Sequence, residues 1–382
     1  MTKLLVHAWV VHKEMATYYL PYTHWVYLKE IVKYYDEVCL MSPTKVCDEN
    51  SSNGLMSLAC FDNVKVYELP YSSSYVGAIP HVGAYIKAYK ALQGYDEVYA
   101  RYPVPFGWLG KFYFKRKKRI VHFVGDPVDA ARTNPNFSRM KKFIMISLFM
   151  PEHSAYMWAC KGASVFTNGH HLKEKLVRSG IKAEAVISST LNEGDFYLKD
   201  QSQMKQDAPR LLYVGYLRKA KGVETVIRSF HKVQGQYPGA TLTIVGSGEF
   251  EQELKALATQ LGLNPYIDFA GHIDNREKLN NMLRSHDVFC FASLSEGSPR
   301  VILEAMANSL VVVSTPVGSL PNVFENEHDI LFAGFNDDEG FYKQIDALVK
   351  DNRLTQQLSS NAYNKVKDFT IEGFIKKIFH EG

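Results

Sequence analysis

The sequence lacks the features that mark secreted, zinc-binding or membrane-spanning proteins. Its five cysteines are odd in number and none forms a Cys-x-x-Cys pair, which favours a reducing compartment and argues against a zinc site. No apolar run approaches the roughly 18–20 residues that a spanning helix needs, and the longest, 143–150, is too short. The amino terminus has no long apolar stretch with a small-residue cleavage site, so we expect a cytoplasmic protein.

Neither sign of charge dominates, but the basic residues are unevenly distributed. The net charge is +4, and residues 1–200 hold 25 Lys and Arg against 18 Asp and Glu. Much of this excess lies in Lys111–Arg119 and at Arg139, Lys141 and Lys142. The patch fits either an anionic lipid surface or anionic acceptor, or a solvated loop. Because no nucleic-acid recognition motif accompanies it, we expect no nucleic-acid partner.

Composition and pattern predict an α/β protein of two domains. Hydrophobic residues make up 46% of the chain and charged residues 22%, and 382 residues exceed one ordinary core. Short apolar runs alternate with longer amphipathic segments, which favours parallel sheets covered by helices. The predicted strands include Lys3–Val10, Val288–Phe291 and Val311–Ser314, and the predicted helices include Asp338–Lys350. The polar segment 200–209 interrupts this alternation and is predicted to be a linker. We therefore predict two doubly wound, Rossmann-like domains facing a cleft, over 1–199 and 210–365.

The most informative feature is a pair of glutamates eight positions apart. Glu296 stands in a Gly- and Pro-containing loop, and Glu304 lies about one turn into the helix predicted over Arg300–Asn308. Both carboxylates are expected to face one crevice, with backbone N–H groups of the helix start between them. Two polyols and an anion would fit there, which is the layout of a sugar nucleotide. Alternatively, such a glutamate caps the helix, but Glu304 is an isolated charge in an apolar segment, where an unpartnered charge is costly.

A basic loop with glycine at both ends, Gly215 and Gly222, follows the strand predicted over Leu211–Val214. Such a strand-to-helix loop suits a diphosphate, and its Arg218 or Lys221 would neutralise charge on a leaving phosphate. The alternative is a surface loop that is basic without a ligand.

The turn after the next predicted strand contains Gly246 and Gly248. It resembles the start of a dinucleotide fingerprint, but Glu251 occupies the place of the third glycine. The turn is therefore either a tight connection or a backbone wall against a nucleotide. The incomplete pattern disfavours a nicotinamide dehydrogenase.

In the first half, the strand predicted over Arg119–Val124 leads into Gly125, Asp126 and a proline. At the carboxyl end of a strand, Asp126 would position or deprotonate an acceptor hydroxyl. The alternative is an Asx-turn or helix cap, a common role for Asp before Pro. His122 lies within the strand, where a buried histidine with satisfied hydrogen bonds is the more common outcome.

The C-terminal half resembles glycosyltransferase family 4, whose members are retaining, sugar-nucleotide-dependent enzymes of the GT-B fold. The Glu-x7-Glu pattern is highly specific, whereas the N-terminal half shares only the strand pattern. The final segment, 366–382, resembles the family's last helix, which packs back on the N-terminal domain. The matching stretches are 213–225, 242–249, 294–307 and 314–321.

The resemblance implies a role for each matching residue. Glu296 would contact hydroxyls of the donor sugar, Glu304 would contact the ribose hydroxyls and Lys221 would hold the diphosphate. The N-terminal domain would bind the acceptor. The backbone that would line the donor sugar and phosphates belongs to Gly297, Ser298, Pro299 and Arg300.

The sequence also departs from the family pattern. The family usually has Arg directly after the glycine that corresponds to Gly215, but this chain has Tyr216, and Arg218 is the proposed substitute. A glycine that the family commonly has after Ala-Met-Ala-x is Ser309 here.

These features together predict a retaining, hexosyltransferase-type enzyme that transfers sugar from a nucleoside diphosphate to a hydroxyl of a glycan or lipid-linked acceptor. Its expected context is cell-surface polysaccharide or glycolipid synthesis, with peripheral contact to the inner membrane face through Lys111–Arg119. The sequence contains no Asp-x-Asp motif, so we expect no metal and no cofactor. Lys221, Arg218 and helix N–H groups would then stabilise the departing diphosphate.

Two other classes of function stay open. A sugar-nucleotide epimerase of similar fold would consume the donor without an acceptor. A non-catalytic sugar-nucleotide-binding subunit would bind the nucleotide without turnover, and Tyr216 in place of the family arginine keeps this alternative open.

Overall fold

A computed structural model describes residues 2–47, 54–133, 137–199 and 206–380. The chain divides into two units, Met1–Ile187 with Glu372–Gly382, and Ser188–Ile371. Each unit has its own sheet. Part of the predicted linker, 200–205, lies outside the described residues.

The apolar runs of the first unit form one sheet. Its central strands are parallel in the order β10-β9-β8-β7-β1-β4, and β6 also pairs with β4. Three short strands extend the sheet as β2-β3-β5, where β3 is antiparallel to both neighbours. The strands are β1 (Lys3–His7), β2 (Val11–Glu14), β3 (Thr17–Pro21), β4 (Glu37–Val46), β5 (Leu55–Ser57), β6 (Val64–Pro70), β7 (Glu97–Tyr102), β8 (Lys118–Phe123), β9 (Ser164–Asn168) and β10 (Glu184–Val186).

The helices of the first unit cover this sheet and include the end of the chain. The helices are α1 (Tyr22–Ile31), α2 (Tyr75–Ala78), α3 (Val82–Ala91), α4 (Gly110–Tyr113), α5 (Pro127–Thr133), α6 (Arg139–Ala159), α7 (His170–Arg178) and, at the carboxyl end, α15 (Ile371–Phe379). In α15 the ring of Phe374 lies 5.4 Å from that of Tyr27, and the ring of Phe379 lies 5.0 Å from that of Tyr99. Among the described helices, none combines the length and apolarity that crossing a membrane requires.

The second unit contains a wholly parallel sheet in the order β13-β12-β11-β14-β15-β16. The direction of winding reverses between β11 and β14, which makes this the topological switch point where open α/β sheets bind ligands. Its strands are β11 (Arg210–Val214), β12 (Thr241–Val245), β13 (Ile267–Gly271), β14 (Val288–Phe291), β15 (Val311–Ser314) and β16 (Leu331–Phe332). Its helices are α8 (Val223–Gln236), α9 (Glu251–Gln260), α10 (Arg276–Arg284), α11 (Arg300–Ala307), α12 (Leu320–Val323), α13 (Asp338–Lys350) and α14 (Asn352–Val366).

The segment 188–199 was assigned from the sequence to the N-terminal domain, but in the structure it groups with the second unit. Its contacts explain the difference. The Tyr197 N–H donates to Ala307 O over 2.8 Å, and Lys199 Nζ lies 2.8 Å from Asp287 Oδ1. At the other end, residues up to Ile371 also belong to this unit, where Ile371 N donates to Leu191 O over 2.8 Å.

Candidate active site

The glycine loops predicted from the sequence meet at the carboxyl edge of the second sheet. The loop after β11 bonds to the loop after β12, because Leu217 N donates to Ser247 O over 2.9 Å. It also bonds to the loop after β14, because Leu294 N donates to Ala220 O over 2.9 Å. Since β11 and β14 flank the switch point, these loops border the expected ligand position.

Gly246 and Gly248 are required by the close approach of these loops. A Cβ on Gly246, whose φ is 138°, would stand 1.9 Å from Gly215 O, and one on Gly248 would stand 2.1 Å from Leu217 O. Both distances are far below van der Waals contact, so no side chain fits at either place. This packing agrees with the tight-turn interpretation, and a nucleotide contact for Gly215, Gly246 and Gly248 stays a prediction.

Glu296 lies in the loop after β14 and forms an ion pair with Lys221 from the loop after β11. Ser293 Oγ donates a second hydrogen bond, of 2.9 Å, to the same carboxylate oxygen, Oε1. Within the described residues, Oε2 of Glu296 accepts no hydrogen bond. The sequence indicated that Lys221 would face a diphosphate, and the structure adds that its ammonium group is already bonded to the neighbouring carboxylate.

Glu304 is an isolated charge within its own apolar segment, and the structure gives it partners from other segments. Arg276 Nη1, from the first turn of α10, lies 2.6 Å from Glu304 Oε1, and Thr190 Oγ1 donates to the same oxygen over 3.2 Å. The other side of the guanidinium bonds to Asp195, with Nε 2.8 Å from Oδ1. Burial alone would lower the pKa of Arg276, but Glu304 and Asp195 outweigh it and raise the pKa above its usual value. Glu304 is therefore paired within the protein through Oε1, and its contact with a ligand stays a prediction.

Sequence reasoning missed Arg276, Asp195 and Thr190. Arg276 is one of several charges on an amphipathic helix, and Asp195 precedes the predicted linker, so neither residue type nor spacing marked them. Asp195 is nearly fully buried, and Asn280 Nδ2 donates to it over 2.8 Å. Burial would raise the pKa of Asp195, but Arg276 and Asn280 outweigh it and lower the pKa.

The segment between the two glutamates starts helix α11. Pro299 precedes the helix, no side chain among the described residues caps its first N–H groups, and no acidic residue lies in its first turn. Glu296 therefore does not serve as a helix cap, which was the alternative open from the sequence. The segment is anchored because Ser319 N donates to Gly297 O over 2.9 Å. An uncapped helix start offers backbone N–H groups to an anion.

The loop after β11 also presents the proposed arginine substitute. Arg218 and Tyr216 are both exposed, and Arg218 immediately precedes a turn of 3₁₀ helix over Lys219–Lys221. The assignment of Arg218 to the family arginine's role stays a prediction.

In the first unit, Asp126 serves as a helix cap. Its Oδ1 accepts from Val128 N over 2.8 Å and from Asp129 N over 3.2 Å at the start of α5, and its Oδ2 forms an ion pair with Lys175. Burial would raise the pKa of Asp126, but Lys175 and the two backbone N–H groups outweigh it and lower the pKa. The structure thus shows the capping role, and the acceptor-site role stays a prediction.

His122 is buried in β8 with both ring nitrogens bonded. Tyr99 Oη lies 2.8 Å from Nδ1, and Asn168 Oδ1 lies 2.8 Å from Nε2. Burial lowers the pKa of His122 to about 3, so the ring stays neutral at physiological pH. This agrees with the structural role that its position in the strand indicated. Across the described ranges, no group of three or more His, Cys, Asp or Glu is placed to hold a metal ion.

Comparisons with known proteins show what this chain is similar to. Residues 197–365 match the family model of glycosyl transferases group 1. The lipopolysaccharide core biosynthesis glycosyltransferase LpsE of Rhizobium meliloti is 30% identical over 202 residues, covering 52% of this chain and 57% of that protein. An Escherichia coli enzyme named UDP-Gal:alpha-D-GlcNAc-diphosphoundecaprenol alpha-1,3-galactosyltransferase is 32% identical over 145 residues, covering 37% of this chain and 36% of that protein. The chain spans about half the length of the first curated relatives that it matches.

Solved structures match the whole chain. HepE of Anabaena in complex with UDP has a TM-score of 0.68 at 17% identity and covers 99% of this chain and 98% of its own. WaaG, a glycosyltransferase involved in lipopolysaccharide biosynthesis, has a TM-score of 0.69 at 13% identity and covers 99% of this chain and 100% of its own. The fold of this chain is therefore that of the GT-B glycosyltransferases, which confirms the two Rossmann-like domains predicted from the sequence.

Proposed function

We propose that this protein is a retaining glycosyltransferase of family 4 that transfers a sugar from a nucleoside diphosphate to an acceptor hydroxyl. The observation that carries the proposal is the pair Glu296 and Glu304 on either side of an uncapped helix start, at the switch point of the second sheet. Each carboxylate keeps one oxygen unbonded by the described protein. The group 1 match over 197–365 and the relatives named as glycosyltransferases support it.

In the proposed mechanism, Glu296 accepts hydrogen bonds from the donor sugar and Glu304 from the ribose. The diphosphate accepts hydrogen bonds from the backbone N–H groups of Gly297, Ser298 and Arg300, since Pro299 has no N–H. The side chains of Lys221 and Arg218 supply positive charge to the same diphosphate. The acceptor oxygen attacks the anomeric carbon from the face that the diphosphate leaves, and its proton passes to a phosphate oxygen. Preorganised donors and cations stabilise the charge that develops on the leaving group, so no covalent nucleophile of the protein is needed.

Binding of a nucleotide-sugar panel tests this proposal. Among UDP-, GDP-, ADP- and dTDP-sugars, one class is expected to raise the melting temperature, because a ligand at 100 times its Kd adds about 2.7 kcal/mol of stability. The same compound should be consumed when acceptor is supplied, with product of retained configuration. Consumption without acceptor and with epimerised sugar would favour an epimerase, and binding without any turnover would favour a non-catalytic subunit.

The turnover assay, repeated in EDTA, tests metal independence. We propose that Lys221, Arg218 and the helix start replace a divalent ion at the diphosphate, so activity should persist in EDTA. Complete loss in EDTA that a divalent ion restores would contradict this part of the mechanism.

We also propose a lipid-linked glycan as acceptor, at the inner face of an anionic membrane. The names of two relatives specify undecaprenol-diphosphate-linked glycans. The basic stretch Lys111–Arg119 is a poorer lipid contact than its sequence indicated, because some of its cationic side chains donate hydrogen bonds to backbone carbonyls of the protein. Arg119 donates to Ala159 O over 3.0 Å and Lys111 to Trp158 O over 2.6 Å. Lys115 and Arg116 stay exposed.

Helix α6 offers the better membrane surface. Along one side it exposes apolar residues at helical spacing, of which Phe143 is 69% exposed and Met140 68%. Ile144 and Leu148 continue the same stripe. Arg139, Lys141 and Lys142 lie beside the start of this stripe. An apolar stripe with flanking cations is the arrangement that binds the interface of an anionic membrane.

A double substitution, Phe143→Ser with Ile144→Ser, is expected to weaken binding to vesicles containing phosphatidylglycerol by at least about tenfold, because two large apolar contacts are lost. Co-sedimentation with vesicles measures this. Val177→Ser is the control, since Val177 is a comparably exposed apolar residue on α7. Equal sedimentation of the wild type and the double variant would contradict the membrane surface.

A further inference from the structure

The two glutamates are held in the same way, although different elements hold them. In each, Oε1 accepts from one cationic side chain and one hydroxyl, Lys221 and Ser293 for Glu296. Arg276 and Thr190 fill the same places for Glu304. In the part of the chain that the structure describes, Oε2 of each accepts no hydrogen bond. The shared pattern indicates that one oxygen anchors the side chain and the other is left for a ligand.

Arg276 is itself held from behind. Asp195 Oδ1 accepts from Arg276 Nε over 2.8 Å and from Asn280 Nδ2 over 2.8 Å, while Asp195 Oδ2 accepts from Asn192 N over 3.0 Å. The last bond closes a capping box over a short 3₁₀ turn, which fixes the carboxylate. Arg276 therefore connects a rigid turn to Glu304, and its planar guanidinium spans both carboxylates in one geometry.

The network is not saturated by the protein. Arg276 Nη2 and Asn280 Oδ1 are buried, and neither has a hydrogen-bond partner among the described residues. Native structures leave few buried polar groups unpaired, and those that occur often accompany function. An ion pair that only stabilised the fold would gain from pairing these atoms. The unpaired atoms are better explained if the network serves to orient the Glu304 carboxylate through Arg276.

We propose that Arg276, fixed by Asp195, is a positioning residue that turns Glu304 so that its free oxygen meets the vicinal hydroxyls of the nucleotide ribose. The proposal deepens the proposed function and rests on it. It implies that Arg276 sets the preference of the site for ribonucleotides over nucleotides without these hydroxyls. Glu304 contacts the ligand, whereas Arg276 and Asp195 act through Glu304.

The test compares two ligands that differ only at the ribose. Affinities of UDP, GDP and ADP, and of their 2′,3′-dideoxy forms, are measured by calorimetry for the wild type and for Arg276→Gln. The wild type should prefer the ribose form of the nucleotide that it binds. In Arg276→Gln the affinity for that form should fall roughly tenfold, because a hydrogen bond to a charged group is lost, whereas the dideoxy form should bind as before.

Arg284→Gln is the matched control. Arg284 lies on the same helix and donates to Asn308 Oδ1 over 2.9 Å, but it does not bond to Glu304. Its substitution should leave the ratio of the two affinities unchanged. Should Arg276→Gln not fold, Thr190→Val removes only the hydroxyl contact to Glu304 and should lower the same ratio by a smaller factor.

The outcomes separate the two proposals. Equal loss of both ligand forms in Arg276→Gln would show a structural role and overturn the positioning role. Unchanged affinities for both ligand forms would overturn it as well, and nucleotide binding itself would still stand. If the wild type bound no nucleotide of the panel, the proposed function would fail, and this inference with it.

Discussion

Lys221→Ala and Glu296→Ala are each expected to lower turnover at least about tenfold while the fold persists, because each removes a preorganised group from the charge-stabilising site. Lys221 supplies positive charge to the leaving diphosphate in the proposed mechanism, and it also orients Glu296. Without Lys221, the mostly buried Glu296 keeps, among the described residues, only the hydrogen bond from Ser293. Single-turnover rates with the nucleotide sugar found in the panel check both variants, and circular dichroism checks the fold.

A variant that combines both substitutions tests whether Lys221 and Glu296 act together. Because the two side chains bond to one another, the loss in Lys221→Ala/Glu296→Ala should be smaller than the product of the single losses. Lys219→Ala is the control, since Lys219 is exposed in the same 3₁₀ turn, and its turnover should stay within about twofold of the wild type. Turnover near that of the wild type in both single variants would remove the donor-site assignment.

The second unit shows how far sequence patterns reach. The predicted strands Val288–Phe291 and Val311–Ser314 coincide with β14 and β15. Parallel strands buried on both faces form continuous apolar runs, so their bounds are visible in the sequence. Helix α13 likewise begins and ends where predicted, and the Asp337 side chain caps its start.

The first unit was less predictable because its added strands are short and partly polar. The hairpin of Val11–Glu14 and Thr17–Pro21 has no long apolar run. Its turn places Met15 at a φ of 51°, and the turn contains no Gly, Asn, Asp or Pro from which it could have been predicted. The strand predicted over Lys3–Val10 ends at His7 for the same reason, since the following residues leave the central sheet for this hairpin.

For the site, residue types and spacing predicted which loops meet but not which side chains pair. Lys221 and Glu296 were both identified, because glycine loops at the ends of neighbouring parallel strands converge. Their mutual ion pair depends on side-chain direction, which no spacing encodes. Arg276 was missed since its approach to Glu304 depends on where α10 packs. Arg276 and Glu304, which looked unrelated in the sequence, belong to one hydrogen-bond network in the structure.

The largest expected effect on stability concerns Asp287, a buried carboxylate just before β14. Its Oδ1 lies 2.8 Å from Lys199 Nζ and 2.8 Å from Arg210 Nη2, so it joins the segment 188–199 to the first residue of β11. The side chain of Asp287 is 0% exposed and that of Lys199 is 10% exposed. Asp287→Asn is expected to destabilise the second unit by about 3–5 kcal/mol, because a buried cation loses its partner.

Denaturant unfolding measures this loss, and Asp338→Asn is the matched control. Asp338 also pairs with a lysine, Lys232 at 2.8 Å, but both side chains are about one-third exposed. An exposed pair contributes little, so the control should lose at most about 1 kcal/mol. A loss in Asp287→Asn no larger than in the control would show that the buried pair does not hold β11 to β14.

The pH dependence identifies charge as the cause. Burial alone would raise the pKa of Asp287, but Arg210 and Lys199 outweigh it and hold the pKa below its ordinary value. Such a carboxyl contributes stability at pH values above its unfolded pKa of about 3.9. That stability is lost as the pH falls through the folded pKa. The stability difference between the wild type and Asp287→Asn should therefore be complete at neutral pH and narrow in acid. A difference that stayed constant would assign the loss to packing, and the strands that carry the site loops would then be aligned by their apolar contacts alone.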